Sequence, residues 1–324
     1  MDWSDRHCRH FWRTISPHTH LYTEMVTTGA ILHGDRARFL AFDPAEHTVA
    51  LQLGGSDPGE LAQCAKYGET AGFDEINLNV GCPSDRVQNG MIGAILMQHA
   101  PLVRDCIAAM RDVCDIDVTV KHRIGVDDME DYQGLRDFVG TVAESGVNTF
   151  IIHARKAWLK GLSPKQNREV PPLNYELVYQ IKREFPELEI IINGGITRID
   201  DCLQHLQQVD GVMLGREAYQ NPMVLVEAEQ RVFGQPDYHP ERRAILEAFL
   251  PYVKQQMACG VALNHITRHI LGLYHGIPGG KAFRRLLSQR AHLRDSHAEL
   301  ILEAIDAAEL AAQSPRALSS TGEI

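Results

Sequence analysis

The sequence predicts an α/β protein: a parallel barrel followed by a small all-helical domain. Three observations carry that expectation. Short β-branched runs alternate with segments of helical spacing over about 230 residues, the usual extent of a closed barrel of βα units. Most of these runs end in polar, cysteine-containing or glycine-rich turns, and beyond residue 233 no further strand-like run occurs.

The first run, Leu21 to Glu24, is weak. The runs Thr48 to Leu53, Glu75 to Val80, Asp117 to Lys121, Thr149 to His153, Glu189 to Asn193 and Gly211 to Gly215 are short and bounded by turn residues, as strands are. Between them, Pro58 to Ala71, Ala100 to Val113, Asp131 to Ser145, Tyr175 to Phe185 and Ile199 to Gln208 carry helical spacing. Residues 1–232 are therefore assigned to a TIM (β/α)₈ barrel, with a doubly wound open sheet as the competing architecture. Phe233 to Pro240 reads as a Pro/Gly linker over residues 233–240. In residues 241–313, Leu246, Phe249, Leu250, Val253 and Met257 share one helix face that could bend at Pro251. Ser296 and Glu299 form a capping-box pattern that would open a helix running to about Ala312. Residues 314–324 are expected to fray.

The composition is that of an ordinary soluble protein: 44% hydrophobic, 23% charged, net charge −10. It argues against intrinsic disorder, and no apolar run is long enough to span a membrane. The first dozen residues lack a secretory pattern. Seven cysteines stand singly, with no CxxC pair, so a reducing cytoplasm is expected and a disulfide scaffold or metal site is not. The acidic total hides two local exceptions. From Gly260 to Arg294 there are six Lys/Arg and no carboxylate, and Lys156, Lys160, Lys165 and Arg168 follow the His153 strand end. A solvated helix face is the bland reading of such runs. In an acidic chain they also resemble a phosphate-backbone footprint.

The strand ends carry the chemistry. In a barrel, Gln52, Asn79, Cys82, Lys121, His153, Asn193, Gly194, Gly195, Gly215 and Arg216 converge on the C-terminal mouth. Two successive glycine-containing turns, the second with an arginine, suit a phosphate held by backbone amides. Cys82 lies between Gly81 and Pro83 directly after a strand; proline biases it to an extended backbone and so fixes its thiol on a loop.

Several stretches together resemble the tRNA-dihydrouridine synthase family. They are Asn79 to Pro83 with Gly90 and Gly93, Val120 to Gly125, Ile152 to Arg155, Ile192 to Ile196, Leu21 to Ala30, Ala50 to Ser56, Lys156 to Trp158, Gly161 to Lys165, Gly215 to Asn221 and Gly276 to Gly279. The set is similar to the family's A subgroup, which acts on D-loop uridines 20 and 20a, and the likeness extends to about residue 290. The resemblance implies an FMN barrel with a helical tRNA-binding domain, NADPH as reductant, a cytoplasmic setting and no obligatory protein partner. It assigns FMN contacts to Gln52, Lys121, His153, Asn193, Gly194, Gly195, Gly215 and Arg216. It makes Cys82 the general acid: hydride goes from flavin N5 to uracil C6, and the thiol, protonated at neutral pH, gives a proton to C5. Asn79 would hold the uracil edge, and Lys165, Arg168, Lys281 and Arg284 would contact tRNA.

The chain departs from the family pattern twice. His122 stands where the family has threonine, at a position expected to face away from the barrel interior. The family's opening strand, which ends in Ala-Pro-Met, has no counterpart before Asp5 and Arg6, so the first barrel strand is expected to be missing; Met1 could match only its methionine. The alternatives are a free-pyrimidine FMN oxidoreductase of the dihydroorotate-dehydrogenase kind, a Schiff-base lyase using Lys121, or a catalytically crippled RNA-binding fragment.

Overall fold

A computed structural model of the chain describes residues 3–84, 90–129 and 131–313. The Asp85 to Asn89 part of the cysteine motif, Met1 and the expected tail lie outside the described residues. The chain forms two compact units, residues 20–215 and residues 3–19 together with 216–313.

The first unit is built on an eight-stranded parallel sheet. Its strands are β1 (Leu21–Tyr22), β2 (Val26–Thr27), β3 (Val49–Gly54), β4 (Glu75–Val80), β5 (Asp117–Arg123), β6 (Thr149–His153), β7 (Glu189–Asn193) and β8 (Gly211–Met213). β1 and β2 lie along the same edge of β3, Leu21 opposite Val49 and Val26 opposite Leu53. β3 through β8 then pair in sequence order. Among the described residues no ladder joins β1 or β2 to β8.

Strand alternation separates two chemistries. Residues of one parity, Ile76, Leu78 and Val80 on β4 with Val118 and Val120 on β5, are buried among the covering helices. Those helices, Pro58–Ala71, Ala100–Arg111, Tyr132–Ala143 and Tyr175–Glu184, present Leu61 and Cys64, Val103 and Ile107, Leu135 and Val139, and Val178 and Ile181 as their buried stripes. The first helix starts where Asp57 Oδ1 accepts from Glu60 N at 2.8 Å, with Pro58 at its first position, and ends at Gly72. His122 shares the outward parity. It is fully buried, its ring 4.9 Å from that of Phe138, and burial pushes it down to about 4.

Residues of the other parity fill the sheet's inner face with polar groups. Gln52 Nε2 donates to Asn77 Oδ1 at 2.9 Å, Asn77 Nδ2 to Thr119 Oγ1 at 2.7 Å, and the Thr119 hydroxyl to Glu75 Oε1 at 2.5 Å. Tyr22 OH donates to the other Glu75 oxygen at 3.3 Å.

The second unit is helical, with Arg6–Ile15, Arg216–Gln220, Val224–Arg231, Arg242–Ala258, Leu263–Thr267, Gly280–Arg290 and Leu300–Ala312. The N-terminal helix belongs to its core. The Phe11 and Phe249 rings are 5.3 Å apart, Trp12 Nε1 donates to Ala218 O at 3.0 Å, and Asp5 pairs with Arg268 at 2.6 Å. The helix Arg242–Ala258 continues through Pro251. The expected capping box does not form: the last helix starts at Leu300 without a side-chain cap, and Glu299 pairs instead with Lys254 at 2.7 Å.

Burial pushes Glu75 up to about 7, with Asp117 and Glu189 acting in the same direction against the hydroxyl bonds from Thr119 and Tyr22. The folded state thus retains a proton that the unfolded chain has already released. The stability this group contributes is full below the ordinary carboxylate range and is lost as pH rises to about 7. Glu75→Gln keeps the hydrogen-bonding shape without the charge. Urea unfolding at pH 5 and pH 8 should show the wild type losing on the order of 2 kcal/mol more than the variant over that interval.

Candidate active site

The C-terminal strand ends bring most of the expected residues to one rim. Asn79 of β4 is opposite Lys121 of β5, Arg123 is opposite His153 of β6, and His153 is opposite Asn193 of β7. Gln52 reaches the same rim from β3 through Asn79, whose Nδ2 donates to Gln52 Oε1 at 2.8 Å. Gly215 follows β8 and is exposed, while Arg216 opens the first helix of the second unit after the barrel.

Cys82 is held through its backbone. The Cys82 and Gly81 N–H groups both donate to Asn79 Oδ1, at 2.8 and 3.1 Å. The Cys82 carbonyl accepts from Ala94 N at 2.8 Å. Gly93 must be glycine for this: its φ is +81°, and a β-carbon there would sit 2.3 Å from the Cys82 oxygen. The thiol remains partly exposed and free. Because two backbone donors claim both lone pairs of Asn79 Oδ1, and Gln52 takes one amide N–H, Asn79 has a single N–H left to offer.

Lys121 is half-buried, and burial beside Arg123 pushes it down to about 8. Its ammonium donates to Asn193 Oδ1 at 3.3 Å, and Asn193 Nδ2 donates in turn to Met213 O at 2.8 Å. Asn193 therefore orients the lysine and links β7 to β8. Gly194, with φ +119°, lets the His153 ring lie against its backbone; a β-carbon there would be 2.5 Å from His153 Cδ2.

Arg123 is a residue of the rim that the sequence reading did not single out. It is buried, and its guanidinium bonds three carbonyls from three segments: Nε to Gly81 O at 2.9 Å, and one terminal nitrogen to Lys156 O at 3.0 Å and Asn167 O at 2.9 Å. It thus ties the cysteine loop to the basic insertion after β6. Lys165 and Arg168 of that insertion are exposed.

In the second unit, Lys281 is exposed, whereas Arg284 donates to Tyr274 O at 3.1 Å. The acid-free run is not acid-free in space, since Arg268 pairs with Asp5 at 2.6 Å and Arg290 with Glu303 at 2.7 Å. Arg285 and Arg294 are also exposed. Among the described residues no cluster of His, Cys, Asp or Glu could hold a metal ion, and no helix is long and apolar enough to cross a membrane.

The model of the family described as Dihydrouridine synthase (Dus) matches residues 1–310. The chain is 59% identical over 293 residues to the tRNA-dihydrouridine(20/20a) synthase of Escherichia coli K12, covering 90% of this chain and 85% of that protein. It is 58% identical over 292 residues to the enzyme of the same name from Pseudomonas aeruginosa PAO1, covering 90% and 88%. Among solved structures, an old yellow enzyme homologue from Zymomonas mobilis superposes with a TM-score of 0.51 at 11% identity, over 76% of this chain and 87% of that one. Morphinone reductase superposes with a TM-score of 0.51 at 12% identity, over 75% and 86%. Fold and rim define a TIM-barrel protein of the α/β class. The chain belongs to the dihydrouridine synthase family.

Gly93→Ala tests the geometry of the cysteine loop. The clash with the Cys82 carbonyl and the strained φ should destabilise the protein by about 1–3 kcal/mol. Alkylation of Cys82 by iodoacetamide should change rate, as read by peptide mass spectrometry against the wild type.

Proposed function

We propose that this chain is a flavin-dependent tRNA-dihydrouridine synthase that reduces the C5–C6 double bond of D-loop uridines 20 and 20a, with FMN as cofactor and NADPH as reductant. The observation that carries the reading is the Gly81-Cys82-Pro83 loop at the β4 end, pinned by Asn79 beside the Lys121 cation.

The rim residues suit an anionic, ring-shaped cofactor. Among the described residues Lys121 has an amide oxygen, not a carboxylate, as its hydrogen-bonding partner, so its charge is available to an anion. Gln52 keeps one N–H and one lone pair for a polar ring edge after its bonds to Asn77 and Asn79. The Asn193-Gly194-Gly195 turn and Gly215 supply backbone donors for a phosphate. Arg216 and His153 complete the assignment on the strength of the resemblance. When bound, the flavin supplies the hydride that reduces the uracil.

The chain's own groups do the rest. The substrate base has to leave its stack to reach a barrel mouth. The one N–H left on Asn79 can only donate, which fits a uracil carbonyl oxygen. Reduction across C5–C6 also consumes a proton at C5, and the Cys82 thiol can supply one from a backbone held by Asn79 and Ala94. Arg123 and Lys121 both lie close enough to act electrostatically on the sulfur left behind. Lys165, Arg168, Lys281 and Arg284 are assigned to tRNA; of these Arg284 also donates to the Tyr274 carbonyl, which orients it and leaves its charge intact. A cytoplasmic enzyme with no obligatory protein partner follows from the same reading.

Purified protein should carry flavin absorption bands and form dihydrouridine in tRNA lacking it when given NADPH. A colourless protein, or one that reduces free pyrimidines and leaves tRNA untouched, overturns the assignment. Cys82→Ala should keep the flavin spectrum and tRNA affinity while turnover falls by about 10²–10⁴-fold; undiminished turnover would remove Cys82 from the chemistry. Flavin affinity should weaken as pH rises through about 8, where Lys121 loses its proton, and Lys121→Met should bind weakly and without that pH step.

A further inference from the structure

The basic insertion after β6 presents one large aromatic side chain whose place in the structure is not explained by packing. Trp158 is 41% exposed, and among the described residues no ring stacks on it. The backbone that carries it is firmly held. Asn167 is fully buried and grips the Trp158 backbone from both sides, accepting from its N–H at 2.8 Å and donating to its carbonyl at 2.9 Å. On one flank Ala157 bridges to Val126, and on the other Leu159 N donates to Asp127 Oδ1 at 2.8 Å.

The anchoring continues to the cysteine loop. The Asn167 carbonyl and the Lys156 carbonyl both accept from Arg123, whose Nε holds Gly81 O at 2.9 Å. An unbroken series of hydrogen bonds therefore runs from Cys82's neighbour, through Arg123 and Asn167, to Trp158. The Trp158 backbone and the cysteine loop thus share one support.

The surroundings favour a polyanion. Between Glu144 and Glu169 the chain has no carboxylate, and Lys160, Lys165 and Arg168 are exposed. Among the described residues, Asp127 and Asp131 reach this loop and are engaged, Asp127 with the Leu159 N–H and Asp131 with Lys156 at 2.8 Å. An exposed indole on an anchored backbone among cations is the arrangement that binds an unpaired nucleobase face-on, the ring taking the base and the cations taking the backbone.

We propose that Trp158 is a stacking platform for an unpaired base of the RNA substrate, held in register with Cys82 by Arg123 and Asn167. The inference rests on the tRNA reading above and deepens it. A base on the indole fixes where along the RNA the reacting uridine must lie, so Trp158 contributes to site selection as well as affinity.

The test uses the full flavin-loaded chain and tRNA transcript. Wild-type reduction of tRNA is measured first; if none occurs, the function reading has failed and Trp158 is not at issue. With an active wild type, Trp158→Ala should raise Kd and KM for tRNA about tenfold while turnover at saturation changes less than twofold. Trp158→Phe should recover most of the loss, and Trp158→Lys should not. Trp158 fluorescence, taken as the difference from Trp158→Phe because Trp3 and Trp12 also emit, should be quenched on tRNA addition. Unchanged tRNA affinity in Trp158→Ala, or full rescue by lysine, overturns the proposal, with retained flavin absorbance confirming that each variant is folded.

Discussion

The directionality of one run of hydrogen bonds governs the rim. At one end, the N–H groups of Gly81 and Cys82 can only donate, so the Asn79 oxygen must face them. At the other, the Glu75 carboxylate takes the Thr119 hydroxyl. Between these ends, Asn79 must donate to Gln52, Gln52 to Asn77 and Asn77 to Thr119. No amide in the series can flip without leaving two like groups facing each other in a buried space, at about 1–3 kcal/mol for each unsatisfied group. The groups that Asn79 and Gln52 still offer at the mouth are set by the backbone N–H donors of the cysteine loop.

The same interior holds two cations. Lys121 and Arg123 share β5's inward parity, and burial weakens the hold of each on its proton. The arginine donates three of its N–H groups to backbone carbonyls, which hold it in place without neutralising it. A rim carrying net positive charge in a poorly solvated setting costs stability by itself. It becomes favourable when an anion arrives, which makes the cost an argument for a bound anionic partner instead of a structural ion pair.

Much of this was legible in the residues. β4, β6 and β7 run over the residues expected from the sequence, and Pro58–Ala71 is a helix over its expected span, because strong local signals (β-branched runs, Asp57 with Pro58, Gly72) agree with the tertiary packing. The inner polar series left a trace that the sequence reading passed over: Glu75, Asn77 and Asn79 alternate with Ile76, Leu78 and Val80, and Thr119, Lys121 and Arg123 alternate with Val118, Val120 and His122. That period of two marks a polar inner face and would have pointed to Asn77, Thr119 and Arg123. Other features had no local trace. Asp5 meets Arg268 across most of the chain's length, so nothing near Asp5 announces that its helix belongs with the C-terminal helices. The Ser296–Glu299 pattern was a local signal that a tertiary partner, Lys254, outcompeted.

The insertion after β6 follows the same physical logic as the barrel interior. Loops ordinarily carry their contacts to solvent and move on fast timescales. Here a buried guanidinium and a buried carboxamide take up the carbonyls and the N–H that would otherwise leave the loop free. Fixing a loop in this way lowers the entropy lost when a partner binds and keeps any bound group at a constant distance from the thiol. On the proposed reading, a base bound on this loop is placed relative to Cys82 because the loop and the cysteine share one support. Arg123 makes the two supports one.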